Sequence, residues 1–335
     1  MDRADVLILG GGLVGSALAT ALDAHGISSI VIDPADPAQI LAARHDGRAS
    51  AIASAPMRMF EAIGVAARLA GKGCPIAGIR VSDGLDPGKL DFAPGEGEGA
   101  LGHMFENRVL RTALYEATLG HERSHENIAF EIFYPTGPFA ILPLLDDAHG
   151  HRSAVVWTVH ARDAAGMMKI SERAYLAEAE KRMGGFLGRL GPLTARFSHP
   201  LGFHHAAWIT SDRLALVGDA AHGIHPIAGQ GVNVGFRDVA TLVEVLVDGK
   251  RLGLDMGDPQ LLARYQRWRG LDTFMVAAAT DGLTRLFGIP GKTASAVRRF
   301  GLSAVDRLPP LKHWFMAEAR GESGDVPKLL QGMPA

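Results

Sequence analysis

The stretch that most limits how this chain can fold runs from Val6 to Gly15, VLILGGGLVG. A four-residue apolar run, Val6 to Leu9, enters a glycine turn and leaves into Ala-rich sequence, Ser16 to Ala24, that predicts a helix. Gly10, Gly12 and Gly15 fit G-x-G-x-x-G, and a second apolar strand, Ser29 to Ile32, ends in Asp33. Gly10 permits the tight turn, Gly12 lets the backbone approach a pyrophosphate, and Gly15 lets helix pack on strand. The helix N-terminus then faces the phosphates. An acid about 20 residues on, at the tip of the second strand, suits a ribose hydroxyl pair. NAD and FAD share this fingerprint, so these residues alone leave the two open.

With 335 residues the chain exceeds the size at which one core usually stops growing, so two closely packed domains are expected. A net charge of −2, with no basic stripe, argues against nucleic acid as a partner. The one cysteine, Cys74, excludes an intramolecular disulfide and is compatible with a reducing cytosol. A first strand beginning near Val6 leaves no room for a signal peptide, and no apolar run approaches the length of a membrane span. Cytoplasmic placement is expected, with peripheral attachment at the inner face of the membrane left open.

Along the chain, Arg48 precedes a segment, Ala49 to Ile63, that reads as helix stopped by Gly64. An arginine so placed can fork onto phosphate oxygens, or simply be a solvated loop charge. Ile79 to Val81 and Leu90 to Phe92 read as short strands, and Asn107 to Leu119 as an amphipathic helix. Between Ala129 and Val159 the pattern becomes antiparallel sheet, whose Phe130, Phe133, Phe139 and Trp157 suit either plain core or an apolar substrate cavity. Residues 171 to 190 return to helix. Downstream, LALVGDAAH (Leu214 to His222) predicts a buried strand ending in Gly218-Asp219, and Gly229-Gln230-Gly231 opens a helix running to about Val247. A carboxylate there can accept from sugar hydroxyls, and the helix start offers free N–H groups to an anionic ring. The histidines at 204, 205, 222 and 225 match no zinc spacing, so no metal is expected. From 258 onward the chain reads as helical, with breaks at Gly288 to Gly291 and at Pro309-Pro310 and a locally basic end.

The fingerprint ending in Asp33, followed far downstream by Gly218-Asp219-Ala-Ala-His222 and by His225-Pro226 through Gly229-Gln230-Gly231-Val-Asn233, resembles the FAD-dependent aromatic hydroxylases of the para-hydroxybenzoate hydroxylase type. Within them the likeness is nearest to the ubiquinone-biosynthesis hydroxylases. It is supported by Asp46 to Ile52, Phe133 to Leu144 and Gly301 to Lys312, and covers nearly the whole chain.

The resemblance implies an α/β fold: a Rossmann-like FAD-binding domain (1–120 and 195–255), an inserted antiparallel-sheet substrate domain (121–194, shortened) and a helical C-terminal region (256–335). It implies that Gly10, Gly12, Leu13, Val14 and Gly15 take the FAD pyrophosphate and Asp33 the adenosine ribose, with Arg48 by the phosphates and Arg108 near the flavin. Gly218 and Asp219 would meet the ribityl chain, and Pro226, Gly229, Gln230, Gly231 and Asn233 would lie against the isoalloxazine. The family carries an Asp-Gly motif on a sheet strand between the helix ending near Gly120 and the strands after His125, and here Leu119-Gly120 runs directly into His121 to His125 with no such segment between them. The implied activity is a monooxygenase cycle in which NAD(P)H binds transiently and O2 passes through a C4a-hydroperoxyflavin to the ring of a polyprenyl phenol. No protein group is named as catalytic, because the flavin carries the chemistry. Membrane-surface or biosynthetic-complex association is a further implication. The competing readings are a hydroxylase of another aromatic and a non-catalytic FAD-binding or scaffold subunit.

Overall fold

A computed structural model gives the architecture. It describes residues 3–34, 49–85, 89–95, 98–106, 110, 118–121, 124–134, 136–146, 150–193, 196–200, 202, 204–223, 230–289 and 291–335. The chain opens as its sequence predicts, with β1 (Val6–Leu9), α1 (Leu13–Asp23) and β2 (Ser29–Ile32), the two strands parallel with Val6 opposite Ser29. Alanines on the inward side of α1 (Ala17, Ala21) let it lie close beneath this pair and join the largest core cluster.

β3 (Ala49–Ala53) follows, then α2 (Ser54–Ala62). The helix read from Ala49 onward is therefore corrected at its first five residues. They pair antiparallel with β7 (Gly102–Glu106), and β4 (Cys74–Pro75) completes a three-stranded sheet. Cross-strand pairing outweighs the helix propensity of three alanines.

The large sheet has seven strands: β5 (Gly78–Asp83), β6 (Lys89–Phe92), β8 (Thr118–His121), β9 (Ile128–Tyr134), β10 (Gly137–Pro143), β11 (His151–Trp157) and β12 (Leu190–Leu193). Their order is β12-β8-β11-β10-β9-β5-β6. All neighbours run antiparallel except β5 and β9, which are parallel, so the expected antiparallel sheet is a mixed one. Two further expectations change here. β5 and β6 precede residue 120 yet belong to this sheet, so the sheet crosses the boundary drawn at that point. Thr118 and Leu119, read as the end of a helix, are strand. The rest of that predicted helix lies outside the described residues, apart from Leu110, which is helical.

Period-two alternation sorts the strand side chains between two layers. Phe130, Ile132, Phe139 and Ile141 pack on α3 (Glu172–Met183) through Ala179 and Met183, so Phe130 and Phe139 are core. Ser171 caps that helix by accepting from Ala174 N, and Gly184 ends it in the left-handed conformation. On the opposite face Ala129, Leu144 and Ala154 meet Cys74 and Met104 of the small sheet, and Phe133 meets Phe287.

Four helices finish the chain: α4 (Gln230–Arg251), α5 (Pro259–Gly288), α6 (Lys292–Arg307) and α7 (Pro309–Arg320). α4 is the buried axle of the main core, with Val239, Val243 and Leu246 against α1 and α2. Leu329, Leu330 and Ala335 return to the same core, so the last residues pack into the nucleotide unit.

One surface is left open. Leu7 and Leu9 of β1 are 59% and 76% exposed, and Ile32, opposite Leu9, is 52% exposed. Parallel strands are usually buried on both faces; among the described residues the Leu7 and Leu9 side is open while Ile8 is buried.

Candidate functional site

Backbone conformation makes the first half of the site. Gly10 has φ of +108° and its N–H donates to Ile32 O at 2.8 Å, joining the ends of β1 and β2. A Cβ on Gly15 would stand 1.9 Å from Gly10 O, so no side chain fits without moving the turn. Gly12, the N-cap of α1, has no atom within 4 Å of its would-be Cβ. The two glycines therefore have different reasons: Gly15 makes room for protein, and Gly12 fronts open space.

α1 carries no side-chain cap and no acid in its first turn, so its leading N–H groups face that space. Asp33 Oδ2 accepts from Gly11 N at 2.6 Å, which fixes the acid beside the turn. This cradle fits a dinucleotide pyrophosphate with a ribose at Asp33.

The second half is brought up by small residues. Gly218 has φ of +59° and heads a 3-10 turn through Ala220. Would-be Cβ atoms on Gly218 and Gly235 would lie 3.1 and 2.6 Å from Val14 Cγ2. Val14 thus sits in a socket between the Gly218 turn and α4, and its side chain packs on protein. That contact joins two motifs about 200 residues apart in sequence. Asp219 is exposed, and His204 Nε2 donates to its carbonyl at 2.8 Å. The strand leading to it is shorter than expected. Only β14 (Leu214–Ala215) is strand, hairpinned on β13 (Thr210–Ser211), with Leu214 exposed.

Asn233, placed by sequence against the ring, is spent on backbone. Its Nδ2 donates to Ala51 O at 2.7 Å and its Oδ1 accepts from Ala53 N at 3.0 Å. That clamp sets β3, which starts directly after Arg48. Arg48, Arg108, Pro226 and Gly229 lie outside the described residues, as does the side chain of Gln230, while Gly231 stands in the first turn of α4.

Sequence reading passed over the group that holds the Gly218 turn. Asp238, on α4, is fully buried; its Oδ2 accepts from Gly218 N at 2.9 Å and from His222 Nε2 at 2.6 Å. Its Oδ1 accepts from Arg269 Nε at 2.7 Å. Arg269 also pairs with Asp272, which pairs with Arg237 at 2.8 Å, and Arg237 donates to Ser323 O at 2.6 Å. Burial works to raise the Asp238 carboxyl, but the Arg269 guanidinium and His222 overcome it and hold the pKa below the ordinary value. The available signal was the adjacent charges Arg237-Asp238 within a Val- and Leu-rich stretch from Val232 to Leu246. Among the described residues no group of His, Cys, Asp and Glu could hold a metal ion.

Known proteins share this chain's sequence and fold. The model of the FAD binding domain family matches residues 3–93 and 102–271. The chain is 40% identical to the ubiquinone hydroxylase UbiL of Rhodospirillum rubrum, over 99% of this chain and 93% of that protein. The chain belongs to the FAD-dependent aromatic hydroxylases. A second relative, the 3-demethoxyubiquinol 3-hydroxylase of Escherichia coli, is 28% identical over 95% of this chain and 98% of its own. Among solved structures, the p-nitrophenol 4-monooxygenase of Pseudomonas putida superposes with a TM-score of 0.67 over 95% of this hydroxylase at 16% identity, which shows a shared fold. The UbiL alignment spans 404 positions against 335 residues, so the relative has at least 69 positions that this hydroxylase lacks.

Proposed function

We propose that this hydroxylase oxygenates the aromatic ring of a polyprenyl phenol in ubiquinone biosynthesis, using NAD(P)H and O2. The observation that carries the reading is the Val14 socket, which seats the fingerprint and the Gly218-Asp219 turn as one FAD cradle; the kinship to ubiquinone hydroxylases supports the substrate class. When bound, FAD supplies reduction by NAD(P)H and the activation of O2.

The protein's own part is to bind, orient and exclude water. N–H groups from Gly12 to Gly15 hold the pyrophosphate, Asp33 the ribose, and Asp219 the ribityl hydroxyls, with Arg48 and Arg108 alongside. The N-terminus of α4, at Gln230 and Gly231, would offer backbone N–H groups to negative charge on the flavin ring. Asn233 acts one step back, by fixing β3, and Asp238 by fixing Gly218. The hydroxylase works on a lipid-borne substrate, at a membrane surface or in a biosynthetic complex.

The test is flavin content followed by turnover. Stoichiometric FAD in the purified chain, and NAD(P)H oxidation stimulated by a prenylated phenol with one atom of 18O from labelled O2 in the product, is the expected result. A colourless chain that fails to take up FAD would overturn it.

A further inference from the structure

We propose that the outer face of α6 and α7 docks on an anionic membrane surface. The two helices present one apolar stripe. On α6, Ser295, Arg298 and Leu302 face inward: Ser295 Oγ donates to Asp83 Oδ2 at 2.5 Å, Arg298 Nε to Asp83 Oδ1 at 3.2 Å, and Leu302 packs near Phe133. Helical spacing then turns Val297 and Phe300 outward, and they are 62% and 77% exposed. The stripe continues through Leu308, Leu311 and Trp314, the last 48% exposed. On α7 the inner side is taken by Phe315, which meets Phe92, and Met316, which packs on the cluster of Cys74. Among the described residues all five of these side chains are exposed.

Charge selects the occupant. Residues 291–320 hold six cations (Lys292, Arg298, Arg299, Arg307, Lys312, Arg320) and two acids (Asp306, Glu318), a net +4. Counting Asp83 and Glu98, which pair with Arg298 and Arg320, still leaves +2, in a chain whose net charge is −2. Lys292 and Arg307, at the two ends of α6, are exposed. A second copy of this chain on the same two-fold face would set this positive region against itself. A bilayer with anionic headgroups accepts both the apolar stripe and the cations, and Phe and Trp beside Lys and Arg are what an interfacial helix needs. Among the described residues no helix is long and apolar enough to cross a membrane, so attachment is at the surface. The docking gives the prenylated-substrate reading its route of delivery and rests on it for that purpose only.

The test is flotation of the purified full-length chain with vesicles that contain no quinone. Vesicles of phosphatidylcholine with about 30% phosphatidylglycerol should carry the protein, pure phosphatidylcholine much less, and about 0.5 M NaCl should release most of it. The double variant Val297→Ser with Phe300→Ser should bind anionic vesicles about tenfold or more weakly at unchanged melting temperature. Leu252→Ser, which changes a leucine equally exposed at the far end of α4, should bind like the parent. Absence of binding to anionic vesicles, or equal binding by parent and double variant, overturns the proposal. So does a dimer in light scattering that the double variant abolishes, because the occupant is then a second copy. Substrate-stimulated NAD(P)H oxidation with a short, water-soluble phenol needs no docking, so loss of one reading is told apart from loss of the other.

Discussion

At the scale of single residues, the two fingerprint glycines separate fold from cofactor. Gly15→Ala drives a methyl into Gly10 O, so it should lower stability by about 1–3 kcal/mol and weaken FAD retention with it. Gly12→Ala meets no protein atom, so its apo melting temperature should stay with the parent while FAD affinity falls about tenfold or more. Thermal melts with and without FAD, beside a flavin titration, check both; a Gly12→Ala chain that binds FAD normally removes Gly12 from the pyrophosphate site. Asp238→Asn takes one of the two carboxylates from the buried Arg269, leaving Asp272 as its charged partner, and loosens Gly218. It should cost about 3–5 kcal/mol in urea denaturation, with Arg269→Met together with Asp238→Leu recovering part of the loss. Cys74 is a group whose sign can be worked out. Burial, aided by Asp146, pushes its thiol from 9.0 up to about 11. A raised folded-state value favours the folded chain below pH 9, and that contribution is lost as pH rises through 11. Cys74→Ala should therefore flatten the decline of stability between pH 9 and about 11, read as a melting temperature at each pH.

At the scale of elements, β1 gives the sharpest contrast, because one strand has a buried and an open side. Ile8→Ala should cost about 2–4 kcal/mol, whereas Leu7→Thr with Leu9→Thr should cost under about 0.5 kcal/mol and reduce binding of an apolar dye. Equal costs in urea denaturation would mean that the open face is covered in solution. The same elements show what sequence pattern can carry. β1, α1 and β2 were legible because a glycine triplet, small helix residues and a terminal acid each serve a local purpose. The breaks at Gly288 to Gly291 and Pro309 were legible for the same reason. Ala49 to Ala53 was misread because nothing local marks it as strand; its partners are β7, about 50 residues on, and the Asn233 side chain, about 180 on. Asp238 was missed because one acid among the charged and polar residues of α4 reveals its purpose only when Gly218, His222 and Arg269 are seen around it.

For the whole molecule, the site is assembled from distant pieces and held by packing of α1, the Gly218 turn and α4. The C-terminal residues tighten the same body: Arg58 Nε donates to Leu330 O at 2.9 Å and Arg251 Nη2 to Ala335 O at 2.9 Å. FAD bound across the fingerprint and the Gly218 turn, which meet at Val14, would brace the two halves of the cradle. A ligand at about 100 times its Kd adds about 2.7 kcal/mol to the folded state, and in a body of this size that amounts to several degrees in Tm. The expected outcome is a melt that rises with FAD concentration and, on native-state hydrogen exchange, protection gained in β1, in the first turn of α1 and from Gly218 to His222 together. Protection gained at the fingerprint alone, with the Gly218 turn unchanged, would mean that the Val14 socket does not couple the two motifs, and that the cofactor is held by one half of the site.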